Sequence, residues 1–498
     1  MAAVTQSIAV GNPNVIIVGG GPAGLSAAVC LVLMAHVAAP SIAVLEARQQ
    51  PPARTNFILL SAASVVRLRA LGVEQLLVER RQLGPYDAFH LIDETANGRG
   101  CTCTTYPLSP HPIPVAGSLE PVDVDSVVEA QAMGVGIQSV RLMDLEAALR
   151  DRCAQLGVRL LPAARVVSIA KSSSSSSGSD TMYSVFLEGP PGKAAREVPC
   201  TGLIVVAEGA ARRLIGRSSS GSSGSGSIDS HLTIGSKVTS PLEHHVRVDL
   251  ETAVGPQIAV ARLIADPDAA DGVDHLSDAS APSLDDPNAH HQDGCAPRAQ
   301  QQRGTLKRLL SGDAARGGPG IAFVQVPPRL ATTTADGDLA TGTEPPPADT
   351  PEQLHSEQLQ PGAAELDAYA RTAMADFAQR LGGGGGGGAA LECAALRVAR
   401  VARGTFAVQD CAAEATTAGA NVALVGDCAR AGHYFAGVGM GVAVVCDGDA
   451  LAALARGVLG GGGDRRAALA AFERSMARTA EKVTAYNNIW WYDAVKVE

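Results

Sequence analysis

Aromatic side chains are scarce in this chain. Phe, Tyr and Trp together make up 3% of its 498 residues, which leaves few candidates for stacking on a flat ligand. Positive charge is also in short supply, with 40 Lys and Arg against 50 Asp and Glu and a net charge of −10. A general nucleic-acid binder or a protein of anionic membranes needs a basic face, so both classes are excluded. No uninterrupted apolar run reaches the roughly 18 residues of a membrane helix. The nearest, residues 24–40, belongs to a helix placed below. Residues 1–12 lack a basic region followed by an apolar one, and they lack arginine, so neither a secretory signal nor a transit peptide is expected. The ten cysteines form no paired framework, and the one close pair, Cys101 and Cys103, has no second pair at zinc-site spacing. The His244-His245 and His290-His291 pairs likewise lack ligand partners, so no metal site is expected. The cysteines read as reduced core residues of an intracellular protein, cytoplasmic by default. No internal repeat is evident.

Glycine, by contrast, is placed with purpose. Val15-Ile16-Ile17-Val18 runs into Gly19-Gly20-Gly21-Pro22-Ala23-Gly24, and helix-forming small and apolar residues follow. Gly19, Gly21 and Gly24 spell G-x-G-x-x-G between a strand and a helix, which is the setting that motif requires. The first glycine permits the turn, the second lets backbone approach a pyrophosphate, and the third lets helix and strand pack. A second apolar run, Ser41–Leu45, ends in Glu46, 22 residues after Gly24 (46 − 24). That is close to the roughly 20 expected for an acid that holds a ribose hydroxyl. A dinucleotide site is the reading.

Further along, residues 61–79 suit amphipathic helix interrupted at Gly72, and 87–93 suits a strand. Residues 106–125 are proline-rich and read as loop, and residues 138–156 as one helix. Strands are expected at 158–161, 165–170, 183–187 and 202–209. Residues 245–250 and 257–264 alternate like a hairpin, and 321–326 reads as a strand. Ser/Gly-rich 217–227, acidic 265–303, Thr/Pro-rich 332–362 and the glycine run 382–388 read as solvated insertions, with a helix at 365–381. Strands are expected near 396–402, 405–409 and 421–425. The last stops at Gly426-Asp427, and Gly437, Gly439 and Gly441 lead into an apolar helix over 442–454. A final helix spans about 465–482, before an aromatic cluster at Trp490, Trp491 and Tyr492.

The combination resembles the FAD-dependent monooxygenases of the para-hydroxybenzoate hydroxylase type. Four segments carry the resemblance, in the family's order. They are the glycine unit with Glu46 and Arg48; Arg141 in Ser139-Val140-Arg141; Val206-Ala207-Glu208-Gly209, in the place of an Asp-Gly fingerprint; and Gly426-Asp427 with Gly437 and Gly439. Arg54 matches a further family arginine on the substrate side of the cofactor. The short Ser139-Val140-Arg141 and Gly437-x-Gly439 patterns are also similar to the monooxygenase domain of MICAL proteins, which oxidises methionines on actin. No accompanying calponin-like or LIM module is found.

The resemblance implies an α/β fold. A Rossmann-like FAD-binding domain with a parallel sheet, drawn from residues 13–85, 137–216 and 396–485, is joined to a smaller α+β substrate domain with an antiparallel sheet, 86–136 and 240–395. Residues 486–498 form a tail. It implies FAD as cofactor, NADPH or NADH as reductant, and O2 and a small aromatic or lipophilic compound as substrates. One oxygen atom would be inserted through a flavin C4a-hydroperoxide. The cofactor-binding residues are then Gly19, Gly21, Gly24, Glu46, Arg48, Arg54, Arg141, Asp427, Gly437 and Gly439. His433 and Tyr434, just before the glycines, are the candidates for proton transfer and for walling the pocket. Glu208 stands where the family has Asp, and the extra methylene moves the carboxylate by roughly 1.5 Å. Reduction by NAD(P)H therefore stands on weaker ground than FAD binding. A flavin oxidase or reductase of the same fold, and a flavin-binding scaffold without turnover, are the alternatives.

Overall fold

A computed structural model describes residues 13–51, 57–94, 101–107, 117–127, 138–171, 183–189, 193–200, 202–209, 214, 216–217, 233–234, 236–238, 244–251, 257–261, 307–312, 320–326, 368, 371–372, 397–402, 410–412, 416, 421–431, 438–460 and 464–488. Strand β1 (Val15–Val18) has all four residues buried, as a run of β-branched side chains covered on both faces requires. It pairs in parallel with β2 (Ile42–Leu45) on one side and with β4 (Leu203–Val206) on the other. Beyond β2 lies β3 (Arg159–Leu161), and beyond β4 lies β5 (Val422–Leu424). The order β5-β4-β1-β2-β3 makes an open, five-stranded, all-parallel sheet whose strand order reverses at β1.

Helices cover this sheet. The chain leaves β1 into α1 (Pro22–Leu33), whose residues from Gly24 to Leu31 are all buried. Residues 61–79 give α2 (Ala62–Ala70) and α3 (Glu74–Glu79). Ser61 caps α2 by accepting the Ser64 N–H, and Gly72 turns between the two helices at φ +74°. A single hydrophobic cluster joins the sheet to α1, α2, the helix α4 (Leu142–Leu156) and the C-terminal helices. Arg67 of α2 is buried within it, where Asp449 takes its charge at 2.5 Å.

The rest of the architecture is mainly antiparallel. A three-stranded meander, Val166–Lys171, Tyr183–Leu187 and Arg196–Pro199, follows β3. A larger sheet runs through Arg397–Ala402, His244–Glu251, Gly320–Val326, Gln257–Ala261, Lys307–Gly312, Leu83–Glu94, Gln138–Arg141 and Phe57–Leu60 in that spatial order. The protein is thus α/β, with a five-stranded parallel sheet and, beside it, mainly antiparallel sheets in which Gln257–Ala261 and Gly320–Val326 pair in parallel.

Several expectations need correction. Residues 138–141 are a strand, because Val140 is inserted between Phe57–Leu60 and the start of Leu83–Glu94; the helix begins only at Leu142. Residues 244–251 and 257–261 do not form a hairpin. Both pair with Gly320–Val326, the first antiparallel and the second parallel, so that strand lies between them. Tyr106, read as loop, belongs to the strand Cys101–Pro107, and residues 124–127 make a helical turn. Phe57–Leu60, Arg196–Pro199, Lys307–Gly312 and Asp410–Ala412 are among the further strands that the sequence pattern does not reveal. The apolar helix starts at Gly439 as α5 (Gly439–Val442), passes through a π-turn at Ala443–Asp447, and continues as α6 (Gly448–Leu459). The last helix, α7 (Arg465–Asn488), runs six residues beyond its expected end (488 − 482). The insertions at 265–303, 332–362 and 382–388, the strand at 405–409, and Trp490, Trp491 and Tyr492 lie outside the described residues.

Candidate functional site

Because β1, β2, β4 and β5 are parallel, the residues that follow them emerge on one edge of the sheet. They line a cavity of about 410 Å³. Gly19 and Gly21 follow β1, Glu46 and Arg48 follow β2, Glu208 and Gly209 follow β4, and Gly426 and Asp427 follow β5. Leu142 of α4, Gly439 and Met440 of α5 and Ala443 of the π-turn add to the wall. This is the crevice beyond the carboxyl ends of the strands, at the point where strand order reverses, where open α/β sheets bind ligands.

The three glycines have different tasks. Gly19 lies at φ +108°, and a methyl group there would come within 2.4 Å of the Ala207 carbonyl oxygen. One on Gly24 would lie 2.0 Å from the Gly19 carbonyl oxygen. Both are therefore imposed by packing. At Gly21 a methyl group would meet no described heavy atom within 4 Å, so this position opens into the cavity. Gly21 is also the N-cap of α1, with Pro22 next, no side chain among the described residues capping the helix, and no acid in the first turn. A helix that starts uncapped at a cavity wall presents N–H groups and partial positive charge to whatever fills it.

Glu46 is buried against this turn. Its Oε2 accepts the Gly20 N–H at 3.1 Å and Arg48 Nη2 at 2.8 Å. Its Oε1 accepts both the backbone N–H and Nε of Arg48, each at 2.9 Å. Burial disfavours its ionised form, but the Arg48 hydrogen bonds and charge and the Gly20 N–H outweigh that and hold the carboxyl below its ordinary range. Behind the turn, Arg150 of α4 donates to the Gly20 carbonyl oxygen at 3.2 Å and to Glu146 Oε1 at 2.7 Å. The Gly20 peptide is held at both ends, and Glu146 lies 4.0 Å from Arg48. Glu146 and Arg150 were missed in the sequence. Their i, i+4 spacing was visible, but an acid and a base one turn apart on a helix are ordinarily solvated.

On the opposite wall, Asp427 sits exposed in a 3₁₀ turn, Gly426–Cys428, at the end of β5. Gly426 takes φ +63° and packs on α1, where a methyl group would lie 2.7 Å from Ala23 Cβ. Its N–H is accepted by Asp447 Oδ2 at 2.8 Å, and Asp447 is paired with Arg430. Glu208 Oε1 accepts the Leu214 N–H at 3.0 Å, so this carboxylate is tied to its own loop.

Of the residues singled out in the sequence, Gly19, Gly21, Glu46, Arg48, Asp427 and Gly439 meet at this one cavity. Gly24 lies behind it. Arg141 is not among the lining residues; it caps α4 in an extended conformation and pairs with Asp144 at 2.6 Å. Arg54, Gly437, His433 and Tyr434 lie outside the described residues. Among the described residues no cluster of His, Cys, Asp or Glu could hold a metal ion, and no helix is long and apolar enough to cross a membrane. Cys30, Cys153, Cys200, Cys428 and Cys446 are buried thiols, and burial pushes Cys30, Cys153 and Cys446 up to about 12, so they stay protonated.

No protein-family model matches the sequence, and no curated protein sequence matches it. Solved structures do. One is p-nitrophenol 4-monooxygenase PnpA from Pseudomonas putida DLL-E4, at 16% identity and a TM-score of 0.50, covering 96% of this chain and 89% of that one. Another is CabE, an aromatic hydroxylase from angucycline biosynthesis, at 16% identity and a TM-score of 0.49, covering 96% and 68%. The first establishes that this chain shares the fold of that protein.

Proposed function

We propose that the protein is an FAD-dependent monooxygenase that uses NADPH or NADH and O2 to insert one oxygen atom into a small aromatic or lipophilic compound. The observation that carries this reading is the convergence of two fingerprints some four hundred residues apart, Gly19–Gly21 with Glu46 and Gly426–Asp427 with Gly439, on a single cavity at the strand-order reversal. The residues present fit FAD. The open space at Gly21 beside an uncapped helix start suits a pyrophosphate, and the carboxylates Glu46 and Asp427 on opposite walls suit the hydroxyls of a ribose and a ribityl chain. Bound there, the flavin would supply electron transfer and oxygen activation.

The chain's own residues bind, orient and exclude water. Helix α1 would direct its N–H groups at the phosphates of a bound FAD, and the Gly20 backbone is kept in place by Glu46 and Arg150. Glu46 already accepts four hydrogen bonds, so a ligand hydroxyl reaches it by replacing one of those from Arg48. The start of α5 at Gly439 directs a second helix N-terminus at the cavity, which favours negative charge there. Leu45, Val166, Leu214 and Met440 supply apolar wall. In this reading Arg54, Arg141 and Gly437 join the cofactor site, His433 or Tyr434 moves a proton, and residues 13–85, 137–216 and 396–485 make up the cofactor domain.

One observation favours a second reading, a flavin oxidase or a flavoprotein reduced by another donor. The Glu208 carboxylate, in the segment that would serve both cofactors, is bound to the Leu214 N–H. The deciding experiment is an absorbance spectrum of the purified protein followed by anaerobic titration with NADPH and NADH. A flavin spectrum that bleaches with one nucleotide and recovers in air supports the monooxygenase. A flavin that neither nucleotide bleaches supports the second reading, and a colourless protein that takes up no added FAD overturns both.

A further inference from the structure

Arg430 and Asp447 form an ion pair at 2.5 Å with side chains 6% and 2% exposed. A pair so deep is a poor means of stabilisation. Removing both charges from water costs roughly what their attraction returns, and apolar replacements are often as stable or more so. The cost here is greater still, because Arg430 Nη1 is buried with no hydrogen-bond partner among the described residues. Burial pushes the Asp447 carboxyl above its ordinary range, with Arg430 and the Gly426 N–H pulling against it. Such a pair calls for a reason other than stability.

Its connections supply one. Asp447 Oδ1 takes Arg430, and Oδ2 takes the Gly426 N–H at 2.8 Å. Gly426 and Asp427 form one wall of the cavity, and Arg430 follows them by three residues. Gly439, Met440 and Ala443 form the adjoining wall, and Asp447 ends the π-turn of that helix. Each residue in a regular helix advances by about 100°, so the wider turn re-aims every side chain after it. At this place the re-aimed residue is the acid that reaches back to the other wall.

We infer that the buried Arg430–Asp447 pair is a positioning device that locks the Gly426–Asp427 turn to the helix beginning at Gly439, so that the two cavity walls facing the cofactor keep one spacing. The inference rests on the FAD reading above. Neither residue touches the cavity, so both act through Gly426 and the π-turn.

The test uses the full-length protein, wild type and the double variant Arg430→Met/Asp447→Asn. The double variant removes both charges while Asn keeps an acceptor for Gly426; Asp447→Asn alone would leave Arg430 buried without a counter-charge. Three quantities are measured on flavin-free protein: the unfolding midpoint, hydrogen exchange over 421–431, 438–448 and 13–33, and FAD affinity from quenching of flavin fluorescence. The expected result is a midpoint close to wild type and unchanged exchange over 13–33. Exchange over 421–431 and 438–448 should rise together by about tenfold, and FAD affinity should fall by at least tenfold. A double variant that binds FAD as wild type does, or in which exchange rises over only one segment or neither, overturns the positioning role. Wild-type protein that takes up no FAD overturns the cofactor reading itself and this role with it.

Discussion

Gly24 and Gly19 meet backbone to backbone. A methyl group on Gly24 would lie 2.0 Å from the Gly19 carbonyl oxygen, so α1 leaves β1 at a distance that only glycine allows. Gly21, two residues after Gly19, faces open space instead. The same substitution should therefore have opposite consequences. Gly24→Ala should destabilise the protein by about 3 kcal/mol or more, because the helix must shift on a packed sheet. Gly21→Ala should cost at most about 1 kcal/mol, the difference between glycine and alanine at an N-cap, and yet abolish flavin retention. Thermal unfolding and the absorbance of the purified variants check both.

Asp427 is exposed on the cavity wall, on a turn whose geometry is set by Gly426. Asp427→Ala should weaken FAD binding by about tenfold or more while changing unfolding free energy by less than about 1 kcal/mol. Fluorescence titration with FAD and urea denaturation separate the two quantities. Unchanged affinity would remove Asp427 from the cofactor site.

The Glu46 carboxyl is held below its ordinary value of 4.5 despite burial, because the Arg48 contacts and the Gly20 N–H favour the charged form. A folded-state value below the unfolded one means that the folded protein binds fewer protons at this site. Its stabilising contribution is complete above pH 4.5 and is lost as pH falls through the folded-state value. The difference in unfolding free energy between wild type and Glu46→Gln should thus be constant near neutrality and shrink below about pH 4.5. Urea denaturation of both proteins between pH 7 and pH 3 measures it. A difference that grows with acidity would contradict the assignment.

Arg67 and Asp449 supply a contrast to the pair behind the cavity. Arg67 Nη1 and Nη2 reach both oxygens of Asp449, at 2.5 and 3.2 Å, and Asp449 also accepts the Val122 N–H. Neither residue lines the cavity. Arg67→Met leaves a largely buried acid without its counter-charge and should cost about 3–5 kcal/mol, with FAD affinity of the folded protein unchanged. Chemical denaturation and FAD titration at low temperature read these out.

Much of the parallel sheet and its cavity is legible in the amino-acid sequence, because its signals are local. A strand buried on both faces shows as an unbroken apolar run, so β1, β2, β4 and β5 can be read directly, and a turn that needs glycine declares itself at Gly19 and Gly426. The antiparallel part is harder. Val140 lies in a short strand only because two other segments flank it, and His244–Glu251 and Gln257–Ala261 are separated by a strand from some sixty residues later. Alternation reveals a strand but not its partner, since pairing depends on segments distant in sequence.

The site divides in the same way. Sequence alone determined the glycine turn, the acid 22 residues on and the second Gly-Asp turn, because each is dictated by backbone sterics or by spacing within one unit. Only the tertiary structure decided that Arg150 and Glu146 stand behind Gly20, that Arg48 occupies Glu46, and that Asp447 reaches Gly426. In an extended chain these are ordinary solvated charges. Packing removes their water and leaves each with a particular neighbour, and that choice is made by the fold as a whole.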